Sequence, residues 1–225
     1  MKTDTELQQD IIAELKWEPG IQAAEIGVGV KDGVVTLSGV VDTYSKKYAV
    51  ERATKRVAGV KAIAEAITVN LPGTYKRADG DIAESATNVI TLNLLVPKNR
   101  VEVMTQDGMI KLSGEVDWQF EKKAAEDAVR HLIGVVGVIN EIRIKPKAKT
   151  VDASEVRKEI GDALKRNAML LRDAEKIQVE VSGSKVILTG SVGSWADREE
   201  AEYTAYCAPG VSDVENRLNL KLRTD

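Results

Sequence analysis

Apolar residues return in the same order three times along the chain. Ile26, Val28 and Val30 alternate with polar or small residues, as do Val101 and Val103, and then Ile177, Val179 and Val181. Each run is followed by a second alternation, Val35 and Leu37, Ile110 and Leu112, Val186 and Leu188. A period of two marks a strand with one buried face, so each pair predicts a β-hairpin. The links between them, Lys31-Asp32-Gly33, Gln106-Asp107-Gly108 and Ser182-Gly183-Ser184, supply the small or left-handed residues a tight turn requires.

The spacing changes to helical on either side of each hairpin. Leu7, Ile11, Ile12 and Leu15 share one helix face, with Asp4 expected as its N-cap and Pro19-Gly20 as its stop. Val156, Ile160 and Leu164 repeat that helix after Asp152 or Ser154. Ile82, Val89, Ile90, Leu92 and Leu94 form the second copy, which Pro97 ends. After each hairpin comes a helix with an alanine-rich face: Ala49, Val50, Ala53 and Val57 from near Ser45, then Ala124, Ala125, Ala128, Val129 and Leu132. Small faces let a helix sit close to a sheet. Gly59, Gly134 and Gly210 mark helix ends, and last strands follow with Ile63, Ile67 and Val69, with Val138, Ile142 and Ile144, and with Val214, Leu218 and Leu220.

The unit therefore reads α-β-β-α-β. The predicted class is α+β: three tandem αββαβ domains, each a three-stranded mixed sheet with two helices on one face, over residues 1–73, 77–146 and 151–224. Connectors are expected at Leu71–Gly80 and at Lys145–Thr150, where Pro and polar residues cluster. The second strand of each hairpin carries Gly39, Gly114 or Gly190 where a bend or a close backbone approach is expected.

Gly33 to Val41 and Gly108 to Val116 spell Gly-x-Val/Ile-x-Leu-x-Gly-x-Val, and Val186 to Val192 repeats it with Ser184 in place of the first glycine. Gly59-Val60, Gly134-Val135 and Gly210-Val211 follow in register. With the helix before and the helix and strand after, this pattern closely resembles the BON domain, found in a bacterial osmotically inducible protein and in nodulation proteins. The resemblance covers nearly the whole chain. It implies the αββαβ fold, a bacterial source and a non-enzymatic role in phospholipid or membrane binding, envelope or osmotic stress, or transport. One two-domain relative binds potassium and carries a LysM module, which this chain lacks. The alternatives the resemblance keeps open are a protein-interaction or chaperone-like scaffold and a potassium sensor. It transfers no lipid-binding residues.

Composition narrows the partners. The net charge of −3 gives no global drive toward nucleic acid or an anionic membrane. One cysteine, Cys207, excludes an intramolecular disulfide framework and a cysteine-cluster zinc site, and reads as a small core or boundary residue. The single histidine, His131, sits late in a helix, and neither a nucleophile elbow, a phosphate loop nor a zinc-helix motif is present. The expectation is no catalytic residue, no metal and no cofactor. The acidic group Asp197, Glu199, Glu200 and Glu202 reads as a solvated helix face. The first ten residues lack the apolar stretch of a signal peptide, which predicts a cytoplasmic protein if Met1 is native and a periplasmic one if a leader has been removed.

Two surfaces stand out. Lys46, Lys47, Arg52, Lys55 and Arg56 make the first alanine-rich helix basic, a candidate surface for phospholipid headgroups. The outer sheet face of the first repeat, with Gly27, Gly29, Ala64 and Ala66, is stripped of bulk and is expected to pack against another repeat, a second copy or a partner protein. Trp17, Trp118 and Trp195 are expected to be partly buried in the core.

Overall fold

The computed structural model describes residues 2–146 and 152–221. In the first repeat, helix α1 (Asp4–Trp17) is followed by strands β1 (Ile26–Lys31) and β2 (Val34–Val41), helix α2 (Tyr44–Arg56) and strand β3 (Ala62–Val69). The second repeat has α3 (Asp79–Leu92), β4 (Val101–Gln106), β5 (Met109–Val116), α4 (Gln119–Arg130) and a last strand broken into β6 (Gly137–Asn140) and β7 (Arg143–Ile144). The third has α5 (Ala153–Arg166), β8 (Ile177–Ser182), β9 (Lys185–Val192), α6 (Trp195–Tyr206) and β10 (Asp213–Leu220). The α+β class and the αββαβ order are as expected. The second connector's residues 147–150 lie outside the described residues.

Each sheet is mixed. The hairpin strands pair antiparallel, Val28 against Leu37, Val103 against Leu112 and Val179 against Leu188. The last strand joins the second hairpin strand in parallel, as in the pairing of Val214 with Val186 and of Val138 with Ile110. Alternation then sends Val35, Leu37, Ile110, Leu112, Val186 and Leu188 into the core, all fully buried. Both helices of a repeat pack on that same face: Ile82, Ala86, Ala125 and Val129 join the second core, and Val156, Ile160, Ala201 and Ala205 the third.

Two compact units divide the chain. One comprises Met1–Gly39, Ala49–Ile67 and Ala148–Asp225, the other Val40–Tyr48 and Thr68–Lys147. Within the first, Lys55 of α2 pairs with Glu199 of α6 at 2.6 Å. Within the second, the start of α2 belongs with the second repeat: Tyr44 packs against its core, and Tyr48 lies under the Arg130 guanidinium, 3.5 Å from its ring centroid.

Helix α1 begins differently from expectation. Thr3, not Asp4, is the N-cap, and its hydroxyl accepts from the Glu6 amide at 3.2 Å while Glu6 answers the Thr3 amide at 2.7 Å. Asp4 lies one residue inside and accepts from the Asp32 and Gly33 amides at the hairpin turn, at 2.7 and 3.1 Å. Asp79 does the same for Asp107 and Gly108, at 2.8 and 2.9 Å. A carboxylate at the helix start thus fastens each of the first two hairpins.

The bend glycines have a common cause. Gly39, Gly114 and Gly190 hold φ of +139°, +121° and +119°, and a methyl group there would run into the carbonyl oxygen of Glu25, Arg100 or Lys176.

On the outer face of the third sheet, Glu215 lies between Arg217 at 2.6 Å and Lys185 at 2.8 Å. The Arg217 guanidinium first, and Lys185 second, hold its carboxyl down to about 2. A depressed carboxylate favours the fold above its ordinary value, and the contribution is lost as pH falls toward the folded value. A carboxyl NMR titration should place the Glu215 midpoint near 2, and Arg217→Ser should raise it toward the ordinary range. An unshifted Glu215 in the native protein would contradict the pairing.

Candidate binding surface

The basic residues of α2 are largely answered by carboxylates of the chain. Lys46 pairs with Asp42 at 2.8 Å and Arg52 with Glu18 at 3.1 Å. Lys55 bridges Glu51 and Glu199 at 2.7 and 2.6 Å. Arg56 reaches Glu14 and Glu18 at 2.8 and 2.6 Å. The Arg56 guanidinium beside Glu18 holds that carboxyl below its usual range. Burial alone would lower the Lys55 ammonium, but Glu199 and Glu51 outweigh it and hold it above its usual value. Lys47 lies half-buried on the same helix. Five cations in sequence therefore present much less positive field than their count implies, because α1 and α6 bring acids to them.

The bare sheet face of the first repeat is where the alternation puts it. Gly27, Gly29, Ala64 and Ala66 are all exposed, as are Thr36 and Ser38 opposite the glycines. Within its own compact unit no other repeat covers this face. An added Cβ on Gly27 would come 2.6 Å from Ser38 Oγ, a hydroxyl on an exposed side chain that rotation can move aside. The matching faces of the other repeats carry ion pairs, Lys111 with Glu141 at 2.7 Å and Lys185 with Glu215 at 2.8 Å.

The turn after the first helix of each repeat shows what the apolar pattern concealed. Leu92, Leu94 and Leu95 are 79%, 98% and 59% exposed, although the first two stand among the apolar residues expected for the helix. Asn93 caps α3 and turns the chain, its side-chain oxygen accepting from the Leu95 amide at 3.0 Å, so only Val96 points inward. Trp17, at the same place in the first repeat, is 84% exposed, correcting its expected burial. In the third repeat Met169 and Leu171 are exposed after Asn167, whose side chain makes the same turn onto Met169. Cations accompany these tips: Lys16; Lys98; and Lys165, Arg166 and Arg172, all exposed and without an ion pair among the described residues. Large apolar groups left in water beside unpaired cations suit a surface that is apolar inside and anionic at its rim.

A second group was invisible to periodicity. Asn140 donates to the Lys122 carbonyl at 3.0 Å and to Glu126 at 3.1 Å, and accepts from the Ile142 amide at 3.2 Å. Asn216 makes the same bonds to Arg198, Glu202 and Leu218. These residues pin the last strand to the second helix of their repeats, while the first repeat has exposed Glu65 at this position.

The profile of the BON domain matches residues 3–70, 78–146 and 152–221. The chain belongs to the BON domain family. Among curated proteins, this BON protein is similar to osmotically-inducible protein Y of Escherichia coli strain K12, with 32% identity over 148 residues, 63% of this chain and 73% of that one. Among solved structures it aligns with CdsD, a structural protein of the type III secretion system of Chlamydia trachomatis, at 13% identity over 96% of this chain and 92% of that one, with a TM-score of 0.27. The C-terminal domain of CdsD aligns at 14% identity over 98% and 100%, with a TM-score of 0.25. At such scores neither bears on the argument. No helix among the described residues is long and apolar enough to cross a membrane, and none of their His, Cys, Asp and Glu residues form a group of three or more able to hold a metal ion.

Proposed function

We propose that this BON protein is a non-catalytic module that binds anionic phospholipid surfaces and serves in osmotic or envelope stress. The observation that carries the reading is the α3 tip, where Leu92, Leu94 and Leu95 stand in water at 79%, 98% and 59% exposure. Burying a leucine side chain yields about 1.5–3 kcal/mol, and a cation at an anionic surface adds about 1 kcal/mol. Three leucines and Lys98 together suffice for peripheral, reversible attachment. The similarity to osmotically-inducible protein Y supports the stress assignment. Helix α2 is a poorer lipid surface because Lys46, Arg52, Lys55 and Arg56 already have acidic partners.

Co-sedimentation with phosphatidylglycerol-containing and pure phosphatidylcholine vesicles tests this. Binding is expected to the first, and Leu94→Asp with Leu95→Asp should weaken it at least about tenfold, the loss of one buried leucine or more. Lys98→Ala should cost a few-fold, fading with salt. Vesicle binding that ignores the tip but depends on Lys46 and Lys47 would return the function to α2. Capture of unfolded proteins without vesicle binding would replace the lipid reading with the scaffold.

A further inference from the structure

The second compact unit contains a cavity of about 230 Å³ that the lipid-surface reading does not use. Leu71 and Tyr75 after β3, Tyr44 at the start of α2, and Leu132 and Ile133 after α4 line it. Two of these stand partly in water at its rim, Ile133 at 53% exposure and Tyr75 at 40%. Aliphatic side chains and tyrosine rings together make a wall suited to a flat apolar molecule. Ser45 is the polar handle: its Oγ lines the same space and shares a hydrogen bond of 2.8 Å with His131 Nδ1. A hydroxyl oxygen in one such bond keeps a lone pair for a further donor.

Charge selects against ions of both signs. The Arg130 guanidinium bonds to Glu126 and Asp127 and stacks on Tyr48, so it has nothing to offer an anion. Its Nε is enclosed by protein and out of a ligand's reach. Asp42, next to Thr43 of the wall, keeps one buried carboxylate oxygen without a donor, which disfavours an anion further. That oxygen is equally enclosed, and its twin is held by Lys46 at 2.8 Å, so no carboxylate here is open to a cation. A charged ligand would shed its water and gain no partner, a cost that a neutral one does not meet.

We infer that this cavity binds a small neutral aromatic molecule that carries one N–H or O–H donor. The rings pack on Leu71, Leu132, Ile133 and the tyrosines, and the donor meets Ser45 Oγ. Size narrows the class. An apolar cavity of about 150 Å³ takes benzene, or about 25 Å³ for each ring atom. At that density a cavity of about 230 Å³ takes about nine heavy atoms, the number in indole.

The test is a titration of the full chain with indole, followed by NMR at Ser45, His131 and Ile133. Saturable shifts are expected, with a dissociation constant on the order of 1 mM or tighter. Benzoate and benzamidinium, aromatics of matching size and opposite charge, should each bind at least about tenfold more weakly. Indene, which keeps the shape of indole without its donor, should bind a few-fold more weakly. Ser45→Ala should abolish that difference, weakening indole and leaving indene unchanged. Ile133→Trp, which fills the cavity from its exposed rim, should weaken indole at least about tenfold. The inference is overturned if indole gives no saturable shifts at these residues, or if either charged aromatic binds as tightly. It is overturned equally if Ile133→Trp binds indole unchanged or if Ser45→Ala still prefers indole to indene. No vesicle enters the measurement, so failure here leaves the lipid-surface reading standing, and the reverse holds too.

Discussion

Gly114→Ala is expected to destabilise the second repeat by about 2–4 kcal/mol, among the largest effects a single methyl group can have. Two costs add. The backbone there holds φ of +121°, a conformation L-residues rarely adopt, and the new Cβ meets the Arg100 carbonyl oxygen. That carbonyl also accepts from the Glu115 amide at 3.3 Å, so moving it aside forfeits a hydrogen bond as well. Gly161→Ala is the internal contrast: in α5 nothing lies within 4 Å of its added Cβ. A helical glycine with free space should gain about 0.5–1 kcal/mol from the same change. Chemical denaturation of both variants against the parent decides it. Equal effects at the two glycines would mean that the bend tolerates a side chain and that the collision relaxes at little cost.

Arg130→Met is expected to cost about 2–4 kcal/mol, because the guanidinium joins two repeats of the second unit. It bonds to Glu126 and Asp127 on its own helix and stacks on Tyr48 from α2. Removing it leaves Tyr48 over an apolar side chain, deprives Asp127 of its cation and leaves Glu126 with the Asn140 amide. A double-mutant cycle with Tyr48→Leu isolates the stack, for which a coupling of about 1–2 kcal/mol is expected. A coupling near zero would show that the start of α2 stays against the second repeat without the stack.

The fold was readable because its constraints are local. Alternation places Leu37 and Leu112 inward, and the left-handed Asp32-Gly33 and Asp107-Gly108 pairs close the hairpins as their residue types demand. The binding surfaces were read less well, for a different reason in each case. The charges of α2 are cancelled by residues distant in sequence, Glu18 for Arg52 and Glu199 for Lys55, and no window along the chain reports such pairings. Leu92 closes α3 two residues past Ile90 and so off the face of Ile82, Ala86 and Ile90, and Asn93 then ends the helix and turns Leu94 outward. An asparagine followed two residues later by a large apolar group, in Asn93-Leu94-Leu95 and Asn167-Ala168-Met169, was the available signal. Arg130 looked like one more surface cation, since nothing in its own helix reveals the tyrosine that covers it. Asn140 and Asn216 could have been found by their equal spacing in the second and third repeats, which a search for apolar periods passes over.

The bend in each hairpin has a consequence for how such a chain can change over generations. What forbids a side chain at Gly39, Gly114 and Gly190 is a main-chain oxygen, and every residue has one. The residues that supply it are Glu25, Arg100 and Lys176, of opposite charges and different shapes. Selection therefore acts on one member of each pair and leaves the other free to drift. Duplicated copies can exchange acids for bases around a fixed bend, acquiring unlike surfaces while their frames stay alike. A single repeat could in this way become three differently charged ones without passing through an unfolded ancestor.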